Sequence, residues 1–297
     1  MTVWKLSAEL PKVEAEAALA GQSARDDWDC DIVVSASEID ERRPDDWVFE
    51  AWLPREPGDD DREAIASLFA RSLDWSCEAL DDRDWVTESQ KGVDPIREGR
   101  FHVHTPDHAA DRDAVDFVIP ASQAFGTGQH ETTAGCLAML DRMEREAVPV
   151  ASHADIGTGT GLLAFAAMRL WPDALATASD IDPVCDAVVR HNARSNAVPL
   201  GDGPGELWFT VADGVADPDL ARRGPFDLLI ANILAGPLID MAEGFVAATA
   251  PGGQILLAGL LQTQEEAVRA AYERDGCVLK ARLARGDWSI LWLHRIR

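Results

Sequence analysis

Asp155-Ile-Gly-Thr-Gly-Thr-Gly161, followed by Ala178-Ser-Asp-Ile-Asp-Pro183 about one helix and one strand later, decides how this 297-residue chain folds. Glycines at every second position let the backbone turn sharply and approach a ligand closely. An acidic residue some twenty positions on, Asp180, stands where the next strand ends and can grip a ribose hydroxyl. The pair therefore predicts an α/β fold that holds an adenosine-containing ligand.

The spacing separates two such ligands. A dinucleotide loop reads Gly-x-Gly-x-x-Gly and presents a helix N-terminus to a pyrophosphate. Here it is Gly157-x-Gly159-x-Gly161, and Asp155 lies two residues before the first glycine. A carboxylate beside the loop repels a pyrophosphate and suits a cation. S-adenosylmethionine carries a sulfonium and an ammonium and no phosphate, so it fits better than a dinucleotide.

The pattern around the loop alternates strand and helix from about residue 130, as in a doubly wound sheet. Strands are expected to end at Ile156, to cover 175–180 and 206–211, and to run as an apolar stretch over 226–231, typical of a central parallel strand. Strand 254–258 follows the Pro251-Gly-Gly turn. Helices are expected over 132–142, 161–170, 183–195, 236–249 and 262–274. Cys277 to Ala284 and Trp288 to Arg295 flank Arg285-Gly-Asp287 as a closing antiparallel hairpin. A doubly wound Rossmann-like sheet ending in such a hairpin is the usual shape of class I methyltransferases.

Upstream, residues 1–80 read β-α-β-β-α-β: strands at Val3–Leu6, Asp31–Ser35, Trp47–Leu53 and Trp75–Leu80, helices at 12–20 and from Asp59. That order predicts a small α+β ferredoxin-like domain. Ile65, Leu68, Phe69 and Leu73 have helical spacing and are expected to form the buried stripe of the second helix. Residues 81–118, with Pro95, Gly99 and Pro106, are expected to be a linker, and 119–297 the catalytic domain.

Ligands of open α/β sheets sit beyond the carboxyl ends of the strands. Besides Gly157, Gly159, Gly161 and Asp180, three segments fall there. Asp182, beside Pro183, is expected to open a helix. Asp213, after the third strand, can accept from an adenine amino group; it equally suits a turn before Gly214. Asn232, in Asn-Ile-Leu-Ala-Gly-Pro-Leu238, can orient an amine through its own or nearby carbonyls; it also suits a helix N-cap. Ahead of the sheet, Ala124-Phe-Gly-Thr-Gly-Gln-His-Glu-Thr-Thr133 reads as a lid loop entering a helix, with Thr132 or Thr133 placed to bond a methionine moiety and His130 more often structural than catalytic in such a setting.

Taken together, Ala124–Thr133, Asp155–Gly161, Asp180–Pro183 and Asn232–Leu238 resemble the PrmA family of ribosomal protein methyltransferases, with Asp84-Trp85 and Glu88 similar to that family's linker. The resemblance covers residues 84 to about 260 by motif and the first 80 by pattern. It implies a ferredoxin-like substrate-recognition domain, a linker and a class I methyltransferase domain. It implies S-adenosylmethionine contacted at Thr133, Gly157, Asp180 and Asn232, and methylation of the N-terminal α-amine and lysine ε-amines of protein eleven of the large ribosomal subunit. Here Thr158 and Thr160 stand where Cys and Ser are common, and Gln129-His-Glu131 where Thr-His-Pro is. The nearest alternative is a lysine methyltransferase for another protein, such as the electron-transfer flavoprotein β subunit. A nucleotide-dependent oxidoreductase is disfavoured by the loop spacing and Asp155. A non-catalytic module on a decayed fold is disfavoured by the intact loop, Asp180 and Asn232.

Bulk properties agree. With 46% hydrophobic and 27% charged residues the composition is that of a soluble globular protein. No apolar run reaches membrane-spanning length, and Met1-Thr-Val-Trp-Lys is no secretory signal. Five scattered cysteines form no Cys-x-x-Cys pair, so reduced thiols and a cytoplasmic protein are expected. No cluster with metal-ligand spacing is apparent, and no metal is expected. Net charge is −25, and residues 1–80 hold 8 Lys/Arg against 20 Asp/Glu. Such a surface repels nucleic acid and anionic membrane and attracts a basic protein. A monomer is expected.

Overall fold

The computed structural model describes residues 3–23, 25, 28–29, 32–39, 45–80, 94–120 and 129–296. The linker residues Asp84, Trp85 and Glu88 and the segment Ala124–Gly128 lie outside them, as does the side chain of His130. The chain divides into two compact units, residues 1–91 and 92–297.

In the first unit, β1 (Val3–Pro11), α1 (Lys12–Ser23), β2 (Val33–Glu38), β3 (Asp46–Leu53), α2 (Asp59–Ala66) and β4 (Ser76–Leu80) follow in order. The sheet runs β2-β3-β1-β4 with every neighbouring pair antiparallel, the ferredoxin-like arrangement. Leu6, Phe49, Ala51, Leu53 and Ile65 are buried in its core. One expectation needs correcting. Helix α2 stops at Ala66, where the Ser67 hydroxyl donates to the Ala64 carbonyl (2.6 Å), so only Ile65 of the expected stripe is helical and fully buried. Phe69 comes from the turn beyond and meets Phe49 edge-on at 5.0 Å.

The second unit opens with β5 (Ile96–Glu98), β6 (Phe101–His104) and β7 (Val115–Val118), a small sheet within the segment expected to be a linker. Phe101, Val103 and Phe117 are built into the unit's core beside Leu137, Leu140 and Phe165. Helix α3 (Gln129–Arg145) leads to β8 (Ser152–Ile156), α4 (Leu162–Leu170), β9 (Leu175–Asp180), α5 (Val184–Ser195), β10 (Leu207–Val211), α6 (Pro218–Arg223) and β11 (Phe226–Asn232). The expected helix 236–249 is two, α7 (Ala235–Asp240) and α8 (Ala242–Ala248), kinked at Met241. The Met241 N–H still donates to Pro237 (3.0 Å), and its carbonyl still accepts from Phe245 (2.9 Å). Strand β12 (Thr249–Leu261), a short 3₁₀ turn (Gln262–Gln264), α9 (Glu265–Arg274), β13 (Cys277–Arg285) and β14 (Trp288–Arg295) complete it.

The main sheet has the order β10-β9-β8-β11-β12-β14-β13. The first five strands are parallel, and β14 pairs antiparallel with both β12 and β13. Together the two sheets give the α/β class I methyltransferase fold with a small α+β domain. Alternation along each strand feeds two cores. Leu228, Ile230, Leu256 and Ala258 face α3 and α4; Leu229, Ala231, Ile255 and Leu257 face α8 and α9. Strand order reverses between β8 and β11, so the carboxyl ends of β8, β9 and β11 open onto one crevice.

Candidate functional site

That crevice is a cleft of about 630 Å³, within the ordinary range for small-molecule sites. Its floor is the loop after β8. Gly157, Gly159 and Gly161 have φ of +73°, +56° and +87°, a region that strains any other residue. The N–H groups of Gly157 and Thr158 both donate to the Ser179 carbonyl (2.9 and 3.0 Å), which pins the loop to β9. A Cβ on Gly157 would sit 2.4 Å from Ile233 Cγ2, so the absent side chain leaves the close approach of β11 possible. From behind, Asn192 on α5 donates through Nδ2 to the Thr160 carbonyl (2.9 Å). Asn196, one turn on, donates to the Val118 carbonyl and accepts from the Val118 N–H, both at 2.8 Å, and also donates to the Asn192 carbonyl.

Asp155 is fully buried. Its Oδ2 accepts from the Thr158 hydroxyl (2.5 Å) and from the Ala164 N–H in the first turn of α4 (3.1 Å). The carboxylate thus serves both as loop brace and as cap for a helix whose own N-cap, Gly161, has no side chain. Burial pushes its carboxyl up to about 7, against the pull of those two donors and with a further push from Asp180.

Asp180 ends β9. Its Oδ2 accepts from the Gly159 N–H (2.8 Å) and its Oδ1 from the Asp182 N–H (3.0 Å). Asp182 accepts from the Val184 N–H (2.9 Å), the helix-opening role expected of it. Asn232 ends β11 and lines the cleft. The following helix is capped at Leu234 without a side-chain bond. The N-cap reading of Asn232 therefore fails, and among the described residues its amide makes no hydrogen bond. Thr132 and Thr133, both buried in the first turns of α3, also line the cleft. Asp213 does not. It is exposed in the turn after β10, next to Ala212, whose N–H donates to the Asp180 carbonyl (2.9 Å).

The walls also hold residues that sequence reading missed. Ile181 and Leu234 line the cleft and are largely exposed, at 66% and 70%, so they offer apolar surface to a ligand with a flat apolar face. Trp288, at the start of β14, and Gly259 complete the wall. Gly259 has φ +83°, and a Cβ there would lie 2.2 Å from the Ile233 carbonyl oxygen. The adjacency of Ile181 to Asp180 was a usable signal; nothing local marks Trp288, which arrives through the terminal hairpin.

The features test well against S-adenosylmethionine. Backbone is laid bare by three glycines, a carboxylate ends the second strand, an uncommitted amide ends the fourth, and among the described residues lining the cleft none is basic, as a phosphate would call for.

A family model described as "Ribosomal protein L11 methyltransferase (PrmA)" matches residues 38–295. A Rhizobium meliloti protein named Ribosomal protein L11 methyltransferase is 40% identical over 277 residues, covering 89% of this chain and 90% of that one. Its Brucella suis namesake is 36% identical over 296 residues, covering 97% of each. Among solved structures, the ribosomal protein L11 methylase from Lactobacillus delbrueckii subsp. bulgaricus is 28% identical with a TM-score of 0.55, covering 70% of this chain and all of that one.

Proposed function

The chain belongs to the ribosomal protein L11 methyltransferase (PrmA) family, and from that premise we propose that it methylates the N-terminal α-amine and lysine ε-amines of ribosomal protein L11. It is an S-adenosylmethionine-dependent protein methyltransferase. Bound S-adenosylmethionine supplies a methyl group made electrophilic by the attached sulfonium.

The chain's own residues bind and orient. Asp180 keeps lone pairs for ribose hydroxyls after serving Gly159 and Asp182. Gly157, Gly159 and Gly161 let the backbone come close to the ligand, and Thr132 and Thr133 offer hydroxyls to its amino-acid end. Asp155, with its carboxyl at about 7, is about half ionised at neutral pH, and a ligand with a sulfonium and an ammonium favours its charged form. Asn232 offers its amide oxygen to the N–H of the incoming amine and so aims the nitrogen lone pair at the methyl. That nitrogen must be neutral to attack. An α-amine, at about pKa 8, supplies a fair neutral fraction near pH 7, whereas a lysine at about 10.4 relies on desolvation in a closed site. Alignment of the reacting groups then contributes up to about 7–11 kcal/mol toward the barrier.

The observation that carries this reading is the meeting of Asp180 and the bond-free amide of Asn232 at one cleft, within a chain matched to the family almost end to end. The first unit serves as the recognition domain, and its acidic excess suits a basic ribosomal protein. No helix among the described residues is long and apolar enough to cross a membrane. The enzyme works as a cytoplasmic monomer, without a nucleic-acid partner. The test is transfer of labelled methyl from S-adenosylmethionine to purified L11, with the modified amines mapped by mass spectrometry. Label on its N-terminal α-amine and lysines is the expected result. An unlabelled L11, with label appearing on another protein, would refute the assignment.

A further inference from the structure

Sequence reading found no metal-ligand cluster, yet the small sheet brings one together. His102 and His104 are two apart on β6 and therefore share a face. Parallel pairing sets Asp116 of β7 opposite His102, on the same face. The opposite face, with Phe101, Val103 and Phe117, is in the core. The two imidazoles stack with centroids 5.0 Å apart, and one candidate ligand atom from each of the three residues lies within 4.8 Å of the others. His102 and His104 are only 2% and 6% exposed. The signal was present in the sequence as Phe-His-Val-His on a strand; only the pairing with Asp116 was not.

The hydrogen bonding points to a positive centre. His104 Nδ1 lies 2.7 Å from the Thr105 carbonyl, which can only accept, so that nitrogen carries the hydrogen. In a neutral ring the other nitrogen, Nε2, is then a lone pair, and it faces Asp116 Oδ2 at 3.1 Å. Two acceptors would then face each other, so this contact is bridged either by a proton or by a metal ion. On the other side, Asp116 Oδ1 already receives the Asp111 N–H (2.9 Å) and faces His102 Nδ1 at 2.7 Å. A ring N–H donated to a backbone carbonyl is the bond that fixes the tautomer of a metal-ligating histidine and leaves its far nitrogen free to coordinate.

We propose that His102, His104 and Asp116 form a binding site for a first-row divalent cation of the zinc type, one that staples β6 to β7. Imidazole and carboxylate donors suit zinc rather than calcium or magnesium. At bond lengths of about 2.1 Å, two ligands on a tetrahedral zinc stand about 3.4 Å apart. The facing pairs, at 2.7 and 3.1 Å, reach that by small ring rotations. Three protein ligands leave one position for water. Coordination needs a bare nitrogen on each ring: any proton between His104 Nε2 and Asp116 leaves to solvent as the metal enters, and His102 carries its hydrogen on Nε2. None of the three residues lines the cofactor cleft, so the site is separate from methyl transfer.

The test uses the intact protein, freed of metal by dialysis against a chelator. Titration with Zn²⁺ is expected to show one tight site per chain, and Co²⁺ to give the visible bands of imidazole–carboxylate coordination. Asp116→Asn and His104→Gln are expected to weaken binding by more than the roughly 10- to 100-fold that loss of an outer-sphere partner costs. Circular dichroism of the metal-free variants checks that they fold. Should either fail, imidazole NMR of the wild type decides: zinc is expected to shift the His102 and His104 ring signals. No stoichiometric zinc on the wild type, equal binding by both folded variants, or unmoved ring signals would each overturn the proposal and leave a proton as the cation between His104 and Asp116.

Discussion

Asp155→Asn separates what the cleft floor needs for folding from what it needs for its ligand. Burial holds the Asp155 carboxyl at about 7, against 3.8 for a free aspartate. The folded form thus keeps a proton that the unfolded chain releases. For a raised acid the sign is fixed: stability is fully present below the unfolded value and is lost as pH rises through the folded one. At about 1.4 kcal/mol per pH unit, the rise from 3.8 to about 7 corresponds to some 4 kcal/mol lost between pH 4 and 8. Asparagine keeps an oxygen for Thr158 or Ala164 and removes the charge. The assay is urea denaturation of wild type and variant at several pH values from 4.5 to 8. The difference, variant minus wild type, is expected to grow with pH by about 3 kcal/mol over that range. The same substitution is expected to weaken S-adenosylmethionine more than S-adenosylhomocysteine, whose sulfur is neutral. A stability difference that stays constant across the pH range would refute the raised carboxyl, and unchanged cofactor affinity would refute its electrostatic role.

Three further changes follow from the same geometry. His153, two residues earlier on β8, is fully buried with both ring nitrogens unbonded, and burial, with Arg223 adding to it, pushes it down to about 4. A lowered base acts oppositely to Asp155: wild-type stability falls as pH drops from 6.5 toward 4, so His153→Leu is expected to stabilise by about 1–3 kcal/mol at neutral pH and by more at pH 5, as read from denaturation curves. Asn232→Ala is expected to lower kcat for methyl transfer about 100-fold by misplacing the amine, with the cofactor's dissociation constant changed far less; a full rate at saturating cofactor would remove Asn232 from the mechanism. Gly259→Ala forces a methyl to within 2.2 Å of the Ile233 carbonyl at φ +83°, and is expected to cost about 2–4 kcal/mol and to abolish cofactor binding in calorimetry.

The parallel strands and the ligand loop were legible because each strand is short, apolar and bounded by glycine or proline, and because a ligand loop needs glycine where φ is positive. Asp180 was legible from its distance to the loop. What escaped was long-range. Trp288 joins the cleft only because β14, the second strand of the terminal hairpin, pairs with β12 and sets Trp288 opposite Leu261. The small sheet of residues 96–118 looked like a connector because three short strands amid Pro95, Gly99 and Pro106 show too little periodicity. Helix α2 seemed longer than it is because Leu68, Phe69 and Leu73 keep helical spacing while packing from turns. Asp155 was read for its charge alone; its second use, capping α4, depends on the turn geometry that Gly161 allows.

Asn192 of α5 and Asn196, the residue that caps its C-terminus, have a mechanical consequence. Asn196 pairs with both backbone groups of Val118 as a neighbouring peptide would, and it also holds Asn192, which in turn holds Thr160. Strand β7 and the glycine loop are thereby tethered to one turn of one helix. A pull on the chain at residue 118 loads Thr160 through two amides rather than through the length of the sheet. In Asn196→Ala the Val118 N–H and carbonyl lose their shared partner, so their amide-exchange protection is expected to fall together with that of the loop, as if a single hinge pin had been withdrawn.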